Sequence, residues 1–245
     1  MSVLVADCRF DLVSPPRGRE QYLEGHVPGA VFLDLGADLS GSERDGGRHP
    51  RPTAAEFAAT ASRAGIGPGV RVVAYDDGSL AGAARLWWLL RHFGHDDVGV
   101  LAGGIGSWLG PLAAGEEVAP AATFAPRERT GDTIGADELR ERLGDPRLTV
   151  LDARAPERYR GEVEPFDAVA GHVPGAVNVP YASVLRDGLP PAALEADELV
   201  AYCGSGVSAC VLLLLLERAG RPDARLYPGS WSDWAARGLP VETGG

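Results

Sequence analysis

At 245 residues and 25.6 kDa the chain has room for one large domain or two compact ones, each with a core of its own. Hydrophobic residues at 45% and charged residues at 23% exclude a disordered chain. The formal charge of −11 would repel phosphate backbones and anionic lipids, so neither nucleic acid nor a membrane is an expected partner.

From the N-terminus, the apolar run at residues 3–6 reads as a strand and is too short for a secretion signal. Residues 34–53, rich in Gly, Asp and Arg, read as a surface loop. Thr53 with Glu56 three positions later has capping-box spacing, and a helix from 54 to about 64 should follow. Residues 70–75 and 98–101 complete the strands of a first sheet, with Leu86, Trp87, Leu89 and Leu90 marking a helix between them. Residues 113–133, with repeated Ala-Pro steps, read as a linker, and a boundary at 120 divides the chain into 1–120 and 121–245. Strands are predicted again at 148–151, 199–202 and 225–227. The apolar segment from 207 to about 219 must be a buried helix, because its six-residue aliphatic core is far below the roughly 20 residues of a membrane span. Short strands alternating with helices predict an α/β fold with parallel sheets.

The chain also repeats itself. Gly25-His26-Val27-Pro28-Gly29-Ala30-Val31 recurs letter for letter as Gly171-His172-Val173-Pro174-Gly175-Ala176-Val177. In the same order, Asp7-Cys8-Arg9 matches Asp152-Ala153-Arg154, Val73-Ala74-Tyr75 matches Val200-Ala201-Tyr202, and Gly106-Ser107-Trp108 matches Gly229-Ser230-Trp231. This is the mark of a duplicated domain, with extra residues in the first copy between 34 and 53. His26 and His172 are expected to be structural, since the histidine is kept in both copies.

Chemistry is expected where the copies differ. After the strand-ending Tyr75 stands Asp76; after Tyr202 stands Cys203, followed by Gly204-Ser205-Gly206-Val207-Ser208. Ligands bind at such strand ends in open parallel sheets. A loop this rich in Gly and Ser can turn successive N–H groups into one hollow at a helix N-terminus, favouring a thiolate. Cys210, inside the apolar helix, and Cys8 are expected to be buried and inert. With three cysteines and no CxxC, neither a disulfide framework nor a structural metal is expected, and a reduced, cytoplasmic chain fits. Three chemistries compete for the loop. A cysteine phosphatase would need arginine six positions after the cysteine, where Ala209 stands. A dinucleotide site matches Gly204-x-Gly206-x-x-Ala209, but its acidic partner Asp223 falls before the next strand instead of at its end. The third is sulfur transfer through a persulfide on Cys203.

At these residues the sequence resembles the rhodanese superfamily, and within it the two-domain sulfurtransferases that act on 3-mercaptopyruvate or thiosulfate. The resemblance implies tandem rhodanese-like domains, only the second carrying the cysteine, with Asp76 in its place in the first. It implies a small anionic sulfur donor and, as acceptor, a thioredoxin-like protein, a small thiol or cyanide, with no metal or organic cofactor. Cys203 would be the nucleophile, with Ser205 and His49 as its catalytic partners. Arg158, Gly204, Gly206, Val207 and Ser208 would bind the donor. The loop Cys203 to Val207 is similar to the mercaptopyruvate type, and the thiosulfate-preferring enzyme is the alternative. A non-catalytic persulfide carrier or docking module is the alternative of another class. The sequence departs from the resemblance at two places. Glu164-Pro165 leads into Phe166, where a second donor-binding arginine would stand, and Gly36 holds the place of a first-domain aspartate, with Asp34 and Asp38 as nearby substitutes.

Overall fold

A computed structural model describes residues 2–42 and 47–245. The chain divides into two compact units. In the first, strands β1 (Ser2–Asp7), β2 (Val31–Phe32), β3 (Val70–Tyr75) and β4 (Val98–Val100) form a parallel sheet in the order β2-β1-β3-β4. In the second, β5 (Leu148–Asp152), β6 (Val177–Asn178), β7 (Glu198–Tyr202) and β8 (Arg225–Leu226) repeat that order as β6-β5-β7-β8. The crossovers of the first unit include helices α1 (Arg17–Glu24), α2 (Ala54–Arg63) and α3 (Ala81–His92). The second unit contains α4 (Ala136–Glu141), α5 (Pro156–Tyr159), α6 (Tyr181–Asp187), α7 (Pro191–Glu195), α8 (Ala209–Arg218) and α9 (Ser230–Ala236). Among the described residues no helix is long and apolar enough to cross a membrane.

The capping box is present at α2: Thr53 Oγ1 accepts from the Glu56 N–H, and Glu56 Oε2 accepts from the Thr53 N–H at 2.8 Å. The repeated letters also have a common physical cause. Arg9 Nη2 bridges Asp7 Oδ2 (2.5 Å) and the Gly25 carbonyl (2.7 Å), and Arg154 Nη2 bridges Asp152 Oδ2 (2.6 Å) and the Gly171 carbonyl (2.7 Å). Tyr75 and Tyr202 accept from the Val27 and Val173 N–H groups, and Tyr75 donates to Asp7. The end of the first strand, the turn of the seven-residue block and the end of the third strand are thus tied by one buried ionic cluster in each unit. Losing one partner would strand a buried charge. His26 stacks on Tyr22 and His172 on Tyr159, with ring centroids 4.3 and 3.7 Å apart, and each Nδ1 lies beside a backbone carbonyl.

Three sequence expectations are corrected. Residues 121–129 pair with the first unit instead of the second, through Ala122 N–H to Ser62 O, Arg127 N–H to Phe93 O and Arg129 N–H to His92 O, so the division falls after Arg129 instead of at 120. The described part of the inserted loop divides as well. Residues 47–51 group with the second unit, while 43–46 lie outside the described residues. The third correction concerns register in the Gly-Ser-Trp match. Ser230 and Gly104 share a left-handed backbone (φ 54° and 59°), and the next residues, Trp231 and Ile105, donate to the Cys203 and Asp76 carbonyls at 2.9 and 2.8 Å. Ser230 therefore corresponds to Gly104, and the identical letters at Ser107 are a coincidence of spacing.

Candidate active site

Strand β7 ends at Tyr202, and the chain turns through residues 203–208 before α8 begins at Ala209. Cys203 stands first in the turn and is 1% exposed. Burial alone would push its thiol up, but the Ser208 hydroxyl and the N–H groups of Ser205, Ala209 and Gly206 hydrogen-bond the sulfur and bring it below the ordinary thiol range. The groups involved differ from the amides of residues 204–208: Ala209 takes part, and Ser208 acts through its side chain. The turn depends on Gly206, whose φ is +76° and where a Cβ would lie 2.4 Å from the Pro228 carbonyl. By contrast, burial and the carboxylates of Asp7, Asp76 and Asp38 push Cys8 well up, and Cys210 is buried within α8 beside the Gly206 carbonyl.

Ser205 is buried, and its Oγ lies 2.8 Å from His49 Nδ1. Residues 156 positions apart in sequence are therefore joined within the second unit. Both substitute aspartates have partners within the first unit. Asp34 caps its own turn through the Gly36 and Ala37 N–H groups, both at 2.8 Å, and Asp38 pairs with Arg63.

Arg158, on the short helix α5, donates from Nε and Nη2 to Glu164 at 3.2 and 2.7 Å, and its guanidinium carbon sits 5.2 Å from the centre of the Phe166 ring. Both terminal nitrogens lie 3.3 Å from the point where a Gly204 Cβ would be, so the missing side chain of Gly204 is what admits the cation beside Cys203. Val207 is buried, and its carbonyl accepts the Cys210 N–H. Two residues of the site were not anticipated. Ser230 accepts the Cys203 N–H at 3.1 Å and donates to Tyr227 O at 3.0 Å. Arg48 places Nη2 3.1 Å from the same Gly204 point. The Arg48-His49 adjacency was the available signal for the second; the first was hidden by the wrong repeat register. Asp223 is exposed and paired with Arg221 at 2.7 Å, so the acidic residue of a dinucleotide site is engaged elsewhere. Among the described residues no cluster of three or more His, Cys, Asp or Glu side chains could hold a metal ion.

The rhodanese-like domain model matches residues 2–110 and 135–237. The chain belongs to the rhodanese family. Within that family it is 46% identical to the "Probable 3-mercaptopyruvate sulfurtransferase" of Pseudomonas aeruginosa, across 99% of this chain and 93% of that one. It is 42% identical to the "Putative thiosulfate sulfurtransferase SseB" of Mycobacterium tuberculosis, across 96% and 88%. Its structure is similar to the crystal structure of SseA from Escherichia coli, a 3-mercaptopyruvate sulfotransferase, with a TM-score of 0.81, 30% identity, and 94% and 93% of the two chains covered. The tandem α/β rhodanese architecture that the resemblance implied is therefore the architecture of this chain.

Proposed function

We propose that this sulfurtransferase takes sulfur from 3-mercaptopyruvate onto Cys203 and passes it to a thiol. The sulfurtransferase class rests on the rhodanese membership and on relatives that bear that name. The assignment to Cys203 is carried by one observation: a buried thiol brought below the ordinary range by the Ser208 hydroxyl and the amides of Ser205, Ala209 and Gly206, with two guanidinium groups beside Gly204, the next residue.

The Cys203 thiolate attacks the donor sulfur. A sulfur–sulfur bond forms, the donor carbon–sulfur bond breaks, and its electron pair leaves on carbon as pyruvate enolate. The donor's thiol proton, released when the persulfide ionises, returns to that carbon to give pyruvate. In this reading Ser205 and His49, whose side chains are in hydrogen-bond contact, carry it. An acceptor thiolate then attacks the outer sulfur, a new persulfide leaves, and Cys203 is again a thiolate. The amides that hold the thiolate also hold the charge of the persulfide, an arrangement set before the reaction begins. Arg158 orients the anionic donor. Cyanide, a small thiol and a thioredoxin-like protein are the acceptor candidates, and a reducing cytoplasm suits three cysteines that are all thiols.

The test is mass spectrometry after incubation with 3-mercaptopyruvate and no acceptor: one added sulfur on the Cys203 peptide is expected. Sulfur found only on Cys8 or Cys210 would sink the assignment. A thiosulfate preference is the second reading, favoured by the name of the Mycobacterium tuberculosis relative. Against it, the residue directly after the cysteine is Gly204 and carries no charge. A donor panel decides, with a higher kcat/KM for 3-mercaptopyruvate expected.

A further inference from the structure

We propose that Arg48 is a donor-binding residue, closing with Arg158 a two-guanidinium clamp on the carboxylate of the sulfur donor. The inference rests on the reading of Cys203 as the sulfur acceptor from an α-keto thiol.

The chain at residues 47–48 is pinned against the second unit. The Arg48 N–H donates to Ser232 Oγ at 3.1 Å. At Gly47, with φ +95°, a Cβ would lie 2.4 Å from that same oxygen and 2.6 Å from the Gly229 carbonyl, so the approach is one that only glycine permits. Arg48 is thereby delivered to the Cys203 turn, with its guanidinium carbon 5.4 Å from the Phe166 ring centre. Arg158 uses the same ring. Such stacking fixes a planar guanidinium without consuming its N–H groups.

Arg48 engages Asp167 through Nη1, and Arg158 engages Glu164 through Nε and Nη2. Both carboxylates are buried, with side chains 8% and 2% exposed, and they offset the two positive charges from behind. No hydrogen bond from Arg48 Nη2 or Arg158 Nη1 to a described residue is formed, and these two nitrogens lie 3.1 and 3.3 Å from one point beside Gly204. The Asp167 Oδ2 atom is buried without a hydrogen-bond partner and stands 4.0 Å from Arg158 Nη2, so Asp167 spans the pair without closing it. Two N–H donors from separate arginines that both face the α-carbon of Gly204 can reach the oxygens of one planar anion set outside it. Gly204 directly follows the nucleophile in the chain, with consecutive Cα atoms about 3.8 Å apart. In 3-mercaptopyruvate the carboxylate lies three bonds from the sulfur, so a donor held by its carboxylate keeps its sulfur close to the clamp.

Steady-state kinetics with two donors separates recognition from scaffolding. 3-Mercaptopyruvate carries the carboxylate, whereas mercaptoacetone keeps the thiol and ketone without it. In Arg48→Ala, KM for 3-mercaptopyruvate should rise roughly 10- to 100-fold while kcat stays within about threefold, the pattern of lost ground-state binding through a charged hydrogen bond. Turnover of mercaptoacetone should match wild type, and Arg48→Lys should recover part of the loss, since it keeps the charge without the fork. Arg48→Gln, which keeps most of the side-chain length, covers the case in which the alanine variant unfolds. An unchanged KM for 3-mercaptopyruvate, or equal losses with both donors, overturns the role of Arg48. Wild-type protein that neither forms pyruvate nor gains sulfur on Cys203 overturns the underlying reading as well, so the two failures are distinguishable.

Discussion

After β3 the chain turns at Asp76, whose carboxylate accepts N–H groups from Gly78 (2.9 Å), Leu80 (3.1 Å) and Ala83 (3.2 Å). After β7 it turns at Cys203, whose sulfur accepts the Ser208 hydroxyl and the N–H groups of Ser205, Ala209 and Gly206. The strand register, the tyrosine, the buried Asp-Arg pair and the amide cradle are common to both. In the first loop a permanent carboxylate fills the cradle, and burial outweighs the amides, raising Asp76 above the ordinary carboxylate range. In the second, the cradle holds an atom that can be neutral, charged or loaded, and the balance runs the other way. The surroundings differ too. Arg158 precedes Tyr159, the ring that stacks on His172, and Gln21 precedes the corresponding Tyr22 on His26. The amide cradle is thus common to both loops, whereas the thiol and the arginine beside Gly204 belong to the second alone.

The comparison breaks most visibly at the nucleophile. Cys203→Ser should lower sulfur transfer by about three orders of magnitude or more. Adding Asp76→Cys to that variant should restore none of it, because Gln21 stands where the second unit has Arg158; pyruvate release measures both, and recovered turnover would mean that the amides suffice. Next in size, Ser205→Ala should reduce kcat by roughly 10- to 100-fold and flatten the kcat–pH profile. His49→Gln should cost about as much, and the double variant little more, if the two act as one relay. Gly206→Ala, at φ +76° and against the Pro228 carbonyl, should lower unfolding free energy by about 1–3 kcal/mol in urea titration. For the thiols themselves, alkylation of Cys203 should titrate below the ordinary thiol range while Cys8 stays unreacted. Because folding lowers the Cys203 pKa, its thiolate contributes stability that is fully present above the unfolded-state value and lost as pH falls through the folded-state value. Wild type should therefore gain on Cys203→Ser as pH rises through that window. The smallest effect belongs to Ser230→Gly, which keeps the left-handed backbone that Gly104 shows in the other unit but removes the acceptor for the Cys203 N–H. A loss of about 1 kcal/mol or less in stability and a modest fall in kcat/KM are expected.

Much of this could be read from the letters. The duplicated block, the Asp-x-Arg triplets and the strand-ending tyrosines were legible because each reports a local or repeated constraint, and the structure shows them as one ionic cluster formed twice. The Thr53–Glu56 box was legible for the same reason, since its partners are three residues apart. The two-residue strands Val31–Phe32 and Val177–Asn178 were not, being too short to carry a period. Ser230 was missed because identical letters at Ser107 pulled the repeats out of register, and backbone torsions are invisible in a sequence. Arg48 was missed because its value depends on where Gly204, Phe166 and Asp167 lie in space.

The sequence by itself determined that two parallel α/β units would form and that Cys203 would begin a turn of small residues, since hydrophobic period, turn chemistry and internal repetition act over a few neighbouring positions. The tertiary structure alone decided that His49 would meet Ser205 and that two guanidiniums would share one aromatic ring across Gly204 from the sulfur. Contacts between residues more than a hundred positions apart leave no period in the chain, and only the closed fold sets the distances on which ionisation and anion binding depend.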